Sequence, residues 1–350
     1  MGFSLKADQR EQLAGPRSRS SRWAHSRAGK LLRLAEGTAY WAAVAPALAR
    51  LPAAMGYRIA CWRGDCIFRF QGGKRTELTG SLRLVLGNEL SPAAALRVAR
   101  DRFRLVSCEA VDVMRLRDGA RPLRRLVEIR GQEHLEAALA SGRGAILCCG
   151  HFGSFDSGLS VLLTSGFPVT VIGRPSHAYA AGHSSVERWF WERFYTRRIW
   201  RYRRRPNIEP GPNRFKVAAV AAAVLRANEV VMISIDAPPL DDDQARTIDV
   251  PFLGRQARML PGVVTLAQVT GAPVLMAFLY RAADYRHQVW EISAPVPVET
   301  DTETALGRCA AEVSAAIRKS PAHWFFWSTG ALARLGLTRD PDHSTGPRAS

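Results

Sequence analysis

Lysine, acidic residues and long apolar runs are all scarce in this sequence. Five of its 49 basic residues are lysine, and the 31 acidic residues leave a formal net charge of +18. No stretch approaches the roughly 20 apolar residues that cross a bilayer. The six cysteines lack both C-x2-C spacing and the density of a disulfide scaffold. These absences argue against a transmembrane helix, a zinc site and a disulfide framework, and they indicate a reducing compartment.

The excess of arginine favours an anionic partner. Nucleic acid, an anionic membrane surface, an acidic protein or a phosphorylated substrate would each be attracted to such a field. Arginine binds phosphate through two parallel hydrogen bonds, although a GC-rich genome produces the same bias without any function. Composition therefore limits the class of partner and leaves its identity open.

The N-terminal third differs in texture from the rest of the chain. Residues 1–35 are rich in arginine and serine and predict a flexible basic tail that can rest on anionic lipid. Residues 36–125 predict a helical, membrane-associating region, in which Ser91 and Pro92 mark a helix start. Within it, residues 39–59 predict an interfacial helix, with an ordinary alanine-rich core helix as the alternative.

Strands and helices alternate between residues 126 and 335. This order predicts an α/β domain with a mixed, largely parallel central sheet flanked by helices. Residues 336–350 are polar and predict a disordered tail. The expected strands cover residues 127–129, 145–149, 168–173, 230–236, 273–280 and 289–292. The expected helices cover residues 132–140, 155–163, 186–200, 213–227, 261–270 and 305–319.

An H-x4-D pair follows the apolar strand at 145–149. His151 lies just beyond the strand end, and Asp156 lies one helical turn further on. A carboxylate on one imidazole nitrogen leaves the other nitrogen to accept a proton, which is a general-base arrangement. A helix cap or a chance spacing would produce the same two residues.

Two further strand ends carry polar residues. Arg174 follows the strand at 168–173, and Asp236 ends the strand at 230–236. If these strands are parallel neighbours of 145–149, the groups meet at one sheet edge, where we expect Arg174 and Asp236 to contact substrate. The alternatives are a solvated loop charge for Arg174 and a turn residue for Asp236.

An ordered series of motifs resembles the lipid A biosynthesis acyltransferases, the late lauroyl/myristoyl-type family within the lysophospholipid acyltransferase-like superfamily. The resemblance covers roughly residues 36–330. Its motifs lie at residues 127–135, 142–147, 150–156, 173–175, 236, 250–254, 260–262, 270–274 and 320–327.

The resemblance implies transfer of a fatty acyl group from an acyl-carrier-protein or coenzyme A thioester to a lipid hydroxyl. His151 would be the general base, and Asp156 would orient the imidazole and stabilise its charge. Neither a resident cofactor, a metal nor a covalent enzyme intermediate is implied. The protein would work at the cytoplasmic face of the bacterial inner membrane, peripherally or shallowly inserted.

The chain departs from the family pattern in three places. The N-terminal apolar segment is short and is broken by Pro46 and Arg50, no basic pair follows Trp327, and an acidic loop lies at 241–243. These departures leave the acceptor open between a lipid A-type glycolipid, a phosphatidylinositol mannoside and another lipid.

Two other interpretations remain at this level. Cys149 lies two residues before His151, so a thiol–imidazole nucleophile is an alternative to a general base. The aromatic and arginine-rich stretch at 186–205 suits a membrane interface or an acyl-chain entrance, but it also suits a packed amphipathic helix. Together with the net charge, it makes a nucleic-acid-binding protein the alternative of a different class.

Overall fold

The computed structural model describes residues 39–116, 121–173, 204–210, 214–239 and 247–338. Several predicted features lie outside the described residues: Arg174, the helix expected at 186–200, the acidic loop 241–243, the tail 1–35 and residues 339–350.

The N-terminal region is helical, as predicted. Its elements are a π-helical turn at Tyr40–Val44, α1 (Ala45–Arg50), α2 (Ala53–Phe70), α3 (Gly72–Leu86), a 3-10 turn at Gly87–Glu89, α4 (Pro92–Arg115) and α5 (Arg121–Arg124). Ser91 caps α4, because its hydroxyl accepts a hydrogen bond from the backbone N–H of Ala94 at 3.2 Å. Within the described ranges, no helix has both the length and the apolar character to cross a membrane.

Helices α2 and α4 cross closely at Gly64. A Cβ atom at this position would lie 2.6 Å from the Cα of Arg104. Only glycine allows two backbones to approach this far, so Gly64 sets the spacing of the two longest N-terminal helices.

The second region contains all the strands of the described chain. Its elements are β1 (Val127–Arg130), α6 (Gln132–Ala140), β2 (Ala145–Cys149), α7 (Phe155–Thr164), β3 (Val169–Ile172), α8 (Arg214–Arg226), β4 (Val230–Ser234), β5 (Ile248–Phe252), β6 (Arg255–Met259), α9 (Gly262–Thr270), β7 (Val274–Arg281), β8 (Gln288–Val296), α10 (Thr302–Lys319), a 3-10 turn at Pro321–His323 and α11 (Thr329–Leu335).

The main sheet is mixed and largely parallel, which confirms the predicted fold class. Its six strands lie in the order β1-β8-β7-β2-β4-β3. The four strands from β7 to β3 are parallel, whereas β8 runs antiparallel to β7 and pairs with β1 in parallel. Strand β2 is central and every one of its residues is buried, as expected for a parallel strand covered on both faces.

The two faces of the sheet are covered by different helices. Ile146 and Cys148 of β2 pack in the cluster that includes α8, α9 and α10. The alternate residues Leu147 and Cys149 pack in the cluster that includes α6 and α7. Because the side chains alternate between two covered faces, β2 can be reached from solvent only at its ends.

The hairpin β5–β6 was not predicted. Residues 250–254 are recognisable in the sequence only as a family motif, because five-residue strands that carry arginine and proline give a weak alternating pattern. Leu253 and Gly254 both have positive φ angles, which is the backbone of a tight two-residue hairpin turn. The apolar residues of both strands face inward, and Val250 and Ala257 are opposite each other and fully buried.

Candidate active site

The ends of β2 and β4 bring His151 and Asp236 together. The two strands pair in parallel with Cys149 opposite Ser234, and each polar residue comes two positions later. The Nδ1 atom of His151 lies 2.7 Å from Oδ1 of Asp236. The backbone N–H of His151 also donates to both carboxylate oxygens, at 3.0 and 2.8 Å. The meeting of strand ends that the sequence predicted is thus present for this pair.

Asp236 is fully buried and held by neutral donors. Besides His151, the indole Nε1–H of Trp324 donates to Oδ2 at 2.8 Å. Within the described ranges these two residues supply its side-chain hydrogen-bond partners, and neither carries a permanent positive charge. Hydrogen bonds from neutral donors thus take the place of a cationic partner at this buried carboxylate.

His151 is the part of this pair that reaches solvent. Its side chain is 27% exposed, and its ring lies 4.7 Å from the ring of Phe326. A carboxylate at Nδ1 favours the tautomer that carries its proton there, which leaves the basic lone pair on Nε2. The arrangement is that of a general base with a buried orienting carboxylate.

A C-terminal segment closes over the site. Phe152 and Trp324 form an antiparallel bridge. The backbone N–H of Gly153 donates to the carbonyl of His323 at 2.9 Å, and the N–H of Phe325 donates to the carbonyl of His151 at 3.0 Å. These bonds fix the backbone on both sides of the His151 imidazole and place the Trp324 indole against Asp236.

Gly153 has to be glycine. Its φ is +65°, and a Cβ atom there would lie 2.1 Å from the carbonyl oxygen of Leu279. Both the left-handed backbone and the close approach to β7 exclude a side chain. The glycine of the Gly-His-Phe-Gly motif therefore sets the path of the chain between the imidazole and α7.

Asp156 lies in the first turn of α7 and is partly buried. Burial, followed by the negative charge of Glu109, raises its pKa to about 7, while His151 acts in the opposite direction. We expected Asp156 to orient His151 and Asp236 to contact substrate. In the structure Asp236 holds Nδ1 and is buried away from solvent, whereas Asp156 is coupled to His151 through charge. The role of Asp156 stays a prediction.

Helix α4 contributes residues that the sequence did not single out. Arg102 pairs with Glu109 at 3.3 Å, and its guanidinium lies 4.2 Å from the ring centre of Phe325. Glu109 in turn acts on Asp156. In the sequence these residues look like the polar face of an amphipathic helix, and no local signal places them beside a strand end that lies more than 40 positions further along the chain.

Cys149 does not have the properties of a nucleophile. Its side chain is buried, its Sγ lies 3.3 Å from the hydroxyl of Ser234, and burial raises the pKa of the thiol to about 12. A thiol with this pKa stays protonated at neutral pH. The geometry favours the general base over the thiol–imidazole alternative.

The comparison with protein families gives one match. The family model described as bacterial lipid A biosynthesis acyltransferase matches residues 27–328. No curated protein matches the chain. The matched range includes both regions of the fold, the paired ends of β2 and β4, and Trp324.

Proposed function

The chain belongs to the bacterial lipid A biosynthesis acyltransferase family, and we propose that it transfers a fatty acyl group from an acyl-carrier-protein or coenzyme A thioester to a hydroxyl of a membrane glycolipid or lipid A-type acceptor. The observation that carries the proposal is the contact of 2.7 Å between His151 Nδ1 and Asp236 at the ends of β2 and β4. It supplies a base at the sheet edge where parallel α/β folds hold their ligands.

The proposed reaction begins at Nε2 of His151. This nitrogen takes the proton of the acceptor hydroxyl while the oxygen attacks the thioester carbonyl carbon. The carbon–sulfur bond of the resulting tetrahedral intermediate then breaks, and the sulfur leaves with the proton held on Nε2. Proton transfer of this kind contributes about 10²- to 10⁴-fold to rate. The sequence of steps needs no covalent enzyme intermediate and no resident cofactor.

Asp236 has the contacts for a positioning residue in this mechanism. It fixes the ring through both the side chain and the backbone N–H of His151. Because its partners are neutral donors, its charge is available to stabilise the imidazolium that forms during proton transfer. Ionised Asp156 adds a second negative charge near the same ring, as the electrostatic coupling between the two residues supports.

Both proposed acyl donors carry negative charge. Acyl-carrier proteins are acidic and coenzyme A carries phosphates, which suits a chain of net charge +18. We propose that Arg174, just beyond the described end of β3, contacts a phosphate or headgroup of one of these substrates. We also propose that the protein works at the cytoplasmic face of the bacterial inner membrane, attached through residues 36–125.

Acyl transfer with a panel of substrates tests the proposal. Purified protein is given an acyl-carrier-protein or coenzyme A thioester together with a lipid A precursor, a phosphatidylinositol mannoside or another glycolipid in detergent. Label in one lipid product identifies donor and acceptor together. If no acceptor is acylated from either donor and the protein binds DNA with a steep salt dependence, the nucleic-acid-binding alternative replaces the enzyme.

A further inference from the structure

Helix α2 exposes a stripe of large apolar side chains. Met55 and Ile59 are exposed, and Trp62 and Phe70 are 67% and 85% exposed. With 3.6 residues per turn, these four positions fall within an arc of about 80° on one side of the helix. Cys66 lies in the same arc and is partly exposed. Large apolar residues aligned over the whole length of a helix differ from the scattered exposed residues of ordinary surfaces.

The stripe is not the core-facing side of α2. Tyr57, Ala60 and Gly64 occupy the opposite side and are buried, where Gly64 meets the backbone of Arg104 in α4. Helix α2 therefore packs against the protein through one face, and it carries apolar side chains on both the buried and the exposed face. A surface helix in a water-exposed location ordinarily has a polar outer face, so the stripe calls for an apolar neighbour.

The charges beside the stripe indicate the chemistry of that neighbour. Arg58 and Arg69 are exposed next to it along the helix. The one acidic residue of α2, Asp65, is bound by Arg100 and Arg104, each at 2.7 Å. The outward side of α2 thus combines apolar side chains with positive charge and offers no free carboxylate.

We propose that the face of α2 formed by Met55, Ile59, Trp62 and Phe70 docks on an anionic lipid bilayer, with the helix lying in the plane of the membrane. Indole and phenyl rings enter the headgroup boundary, while Arg58 and Arg69 reach the lipid phosphates. Pairing of two copies through this face would bring like charges together, so the charge pattern favours lipid over a second copy of the chain. The proposal rests on the membrane attachment proposed above and not on the acyl-transfer chemistry.

Helix α4 connects the proposed docking face on α2 to the candidate active site. Helix α4 contacts α2 through the Asp65–Arg104 pair and contacts the segment over the site through Arg102 on Phe325. The same helix thus joins the docking face to the segment that lies over the candidate active site. A lipid acceptor would then be taken from the surface on which α2 rests.

Flotation with vesicles of phosphatidylethanolamine and phosphatidylglycerol in equal parts tests the docking face. The variant is Trp62→Glu/Phe70→Glu, and its matched control is Phe215→Glu/Val269→Glu, which changes residues of α8 and α9 that are 81% and 69% exposed. Both double variants lose two exposed apolar groups and gain two negative charges. We expect the control to float like the wild type and the α2 variant to lose at least about tenfold in bound fraction.

Two further measurements separate the outcomes. An unchanged melting temperature shows that the α2 variant is folded, and we expect it to retain acyl transfer to acceptor in detergent while losing transfer to acceptor in vesicles. Flotation of the α2 variant equal to that of the wild type would overturn the docking face. A wild-type dimer that becomes a monomer in the α2 variant, with no other change, would also overturn it. Wild-type protein that floats through α2 but transfers no acyl group would refute the enzymatic proposal alone.

Discussion

Among the residues that the structure describes, two carboxylates are fully buried in different regions, and their partners differ in kind. Asp112, in helix α4 of the N-terminal region, accepts a hydrogen bond from the Tyr57 hydroxyl at 2.5 Å and pairs with the guanidinium of Arg281 at the end of β7. Asp236, at the end of β4 in the sheet region, is held by the neutral donors of His151 and Trp324.

In the proposed mechanism, this difference separates a carboxylate that stabilises the fold from one that takes part in the chemistry. Burial lowers the pKa of Arg281, but the adjacent charge of Asp112 more than offsets this and leaves that pKa above its ordinary value. Arg281 therefore keeps its charge, and its pairing with Asp112 joins α4 to the sheet. Asp236 has no cationic partner among the described residues and lies next to an imidazole, so in the proposed mechanism it would stabilise a cation that forms only during the reaction. Burial alone does not distinguish the two roles; the permanent charge of the partner does.

The largest expected effect is on the rate of acyl transfer when His151, in the sheet region, is changed. His151→Ala removes the proposed base, and we expect kcat to fall about 10²- to 10⁴-fold with little change in melting temperature. His287→Ala is the matched control, because its Nδ1 also contacts an aspartate, Asp284 at 2.6 Å, but on the protein surface. Acyl transfer at full rate in the His151 variant, measured by lipid product formed, would refute the mechanism.

Changing Asp112 should instead lower the stability of the fold. Asp112→Asn leaves the charge of Arg281 buried without its counter-charge, and we expect the free energy of unfolding to fall by about 3–5 kcal/mol. Tyr57→Phe removes only the hydroxyl hydrogen bond to the carboxylate and should cost less, about 1.5–3 kcal/mol. Denaturant unfolding measures both. A variant as stable as the wild type would mean that the pair does not hold the two regions together.

Asp236→Asn tests the chemical carboxylate directly. The amide preserves the shape of the side chain but removes the charge and places an N–H₂ group among donors, so we expect kcat to fall about 10²-fold. Trp324→Phe removes one donor and leaves the charge, and should cost kcat about tenfold or less. Steady-state rates under saturating substrate make the comparison. A larger loss in the Trp324 variant would show that packing of the C-terminal segment, rather than the charge of Asp236, limits the rate.

The sequence predicted the sheet and the strand ends better than the partners within the site. The strand at 145–149 and the helix at 132–140 have the predicted bounds, because uninterrupted apolar runs and glycine stops are local signals. Parallel pairing of β2 with β4 brought His151 and Asp236 together as expected, since strand ends meet at one edge.

The assignment of partners depended on geometry that the sequence does not contain. The register of β2 against β4 sets which carboxylate reaches Nδ1, and it is a tertiary property. The closeness of Glu109 to Asp156 likewise depends on how α4 packs over the sheet edge. The β5–β6 hairpin was missed because its short strands alternate weakly and because Leu253, in the turn, takes a left-handed conformation that a leucine rarely adopts.

Asp156 gives the smallest expected effect. Unlike Asp112 and Asp236, this carboxylate is only partly buried. Its pKa of about 7 in the folded protein exceeds the value of about 3.9 in an unfolded chain. The folded state therefore binds more protons between these pH values, and the contribution of Asp156 to stability is lost as the pH rises from about 4 to 7.

Asp156→Asn abolishes this titration. Compared with the wild type, the variant should be more stable at pH 8, by about 1–2 kcal/mol after allowance for partial exposure, with the difference vanishing near pH 4. Asp249→Asn, on the exposed face of β5, should show no such pH-dependent difference. Melting temperatures at pH 5 and pH 8 decide the matter. A pH slope in the Asp156 variant equal to that of the wild type would mean that the proton uptake on folding occurs at a group other than Asp156.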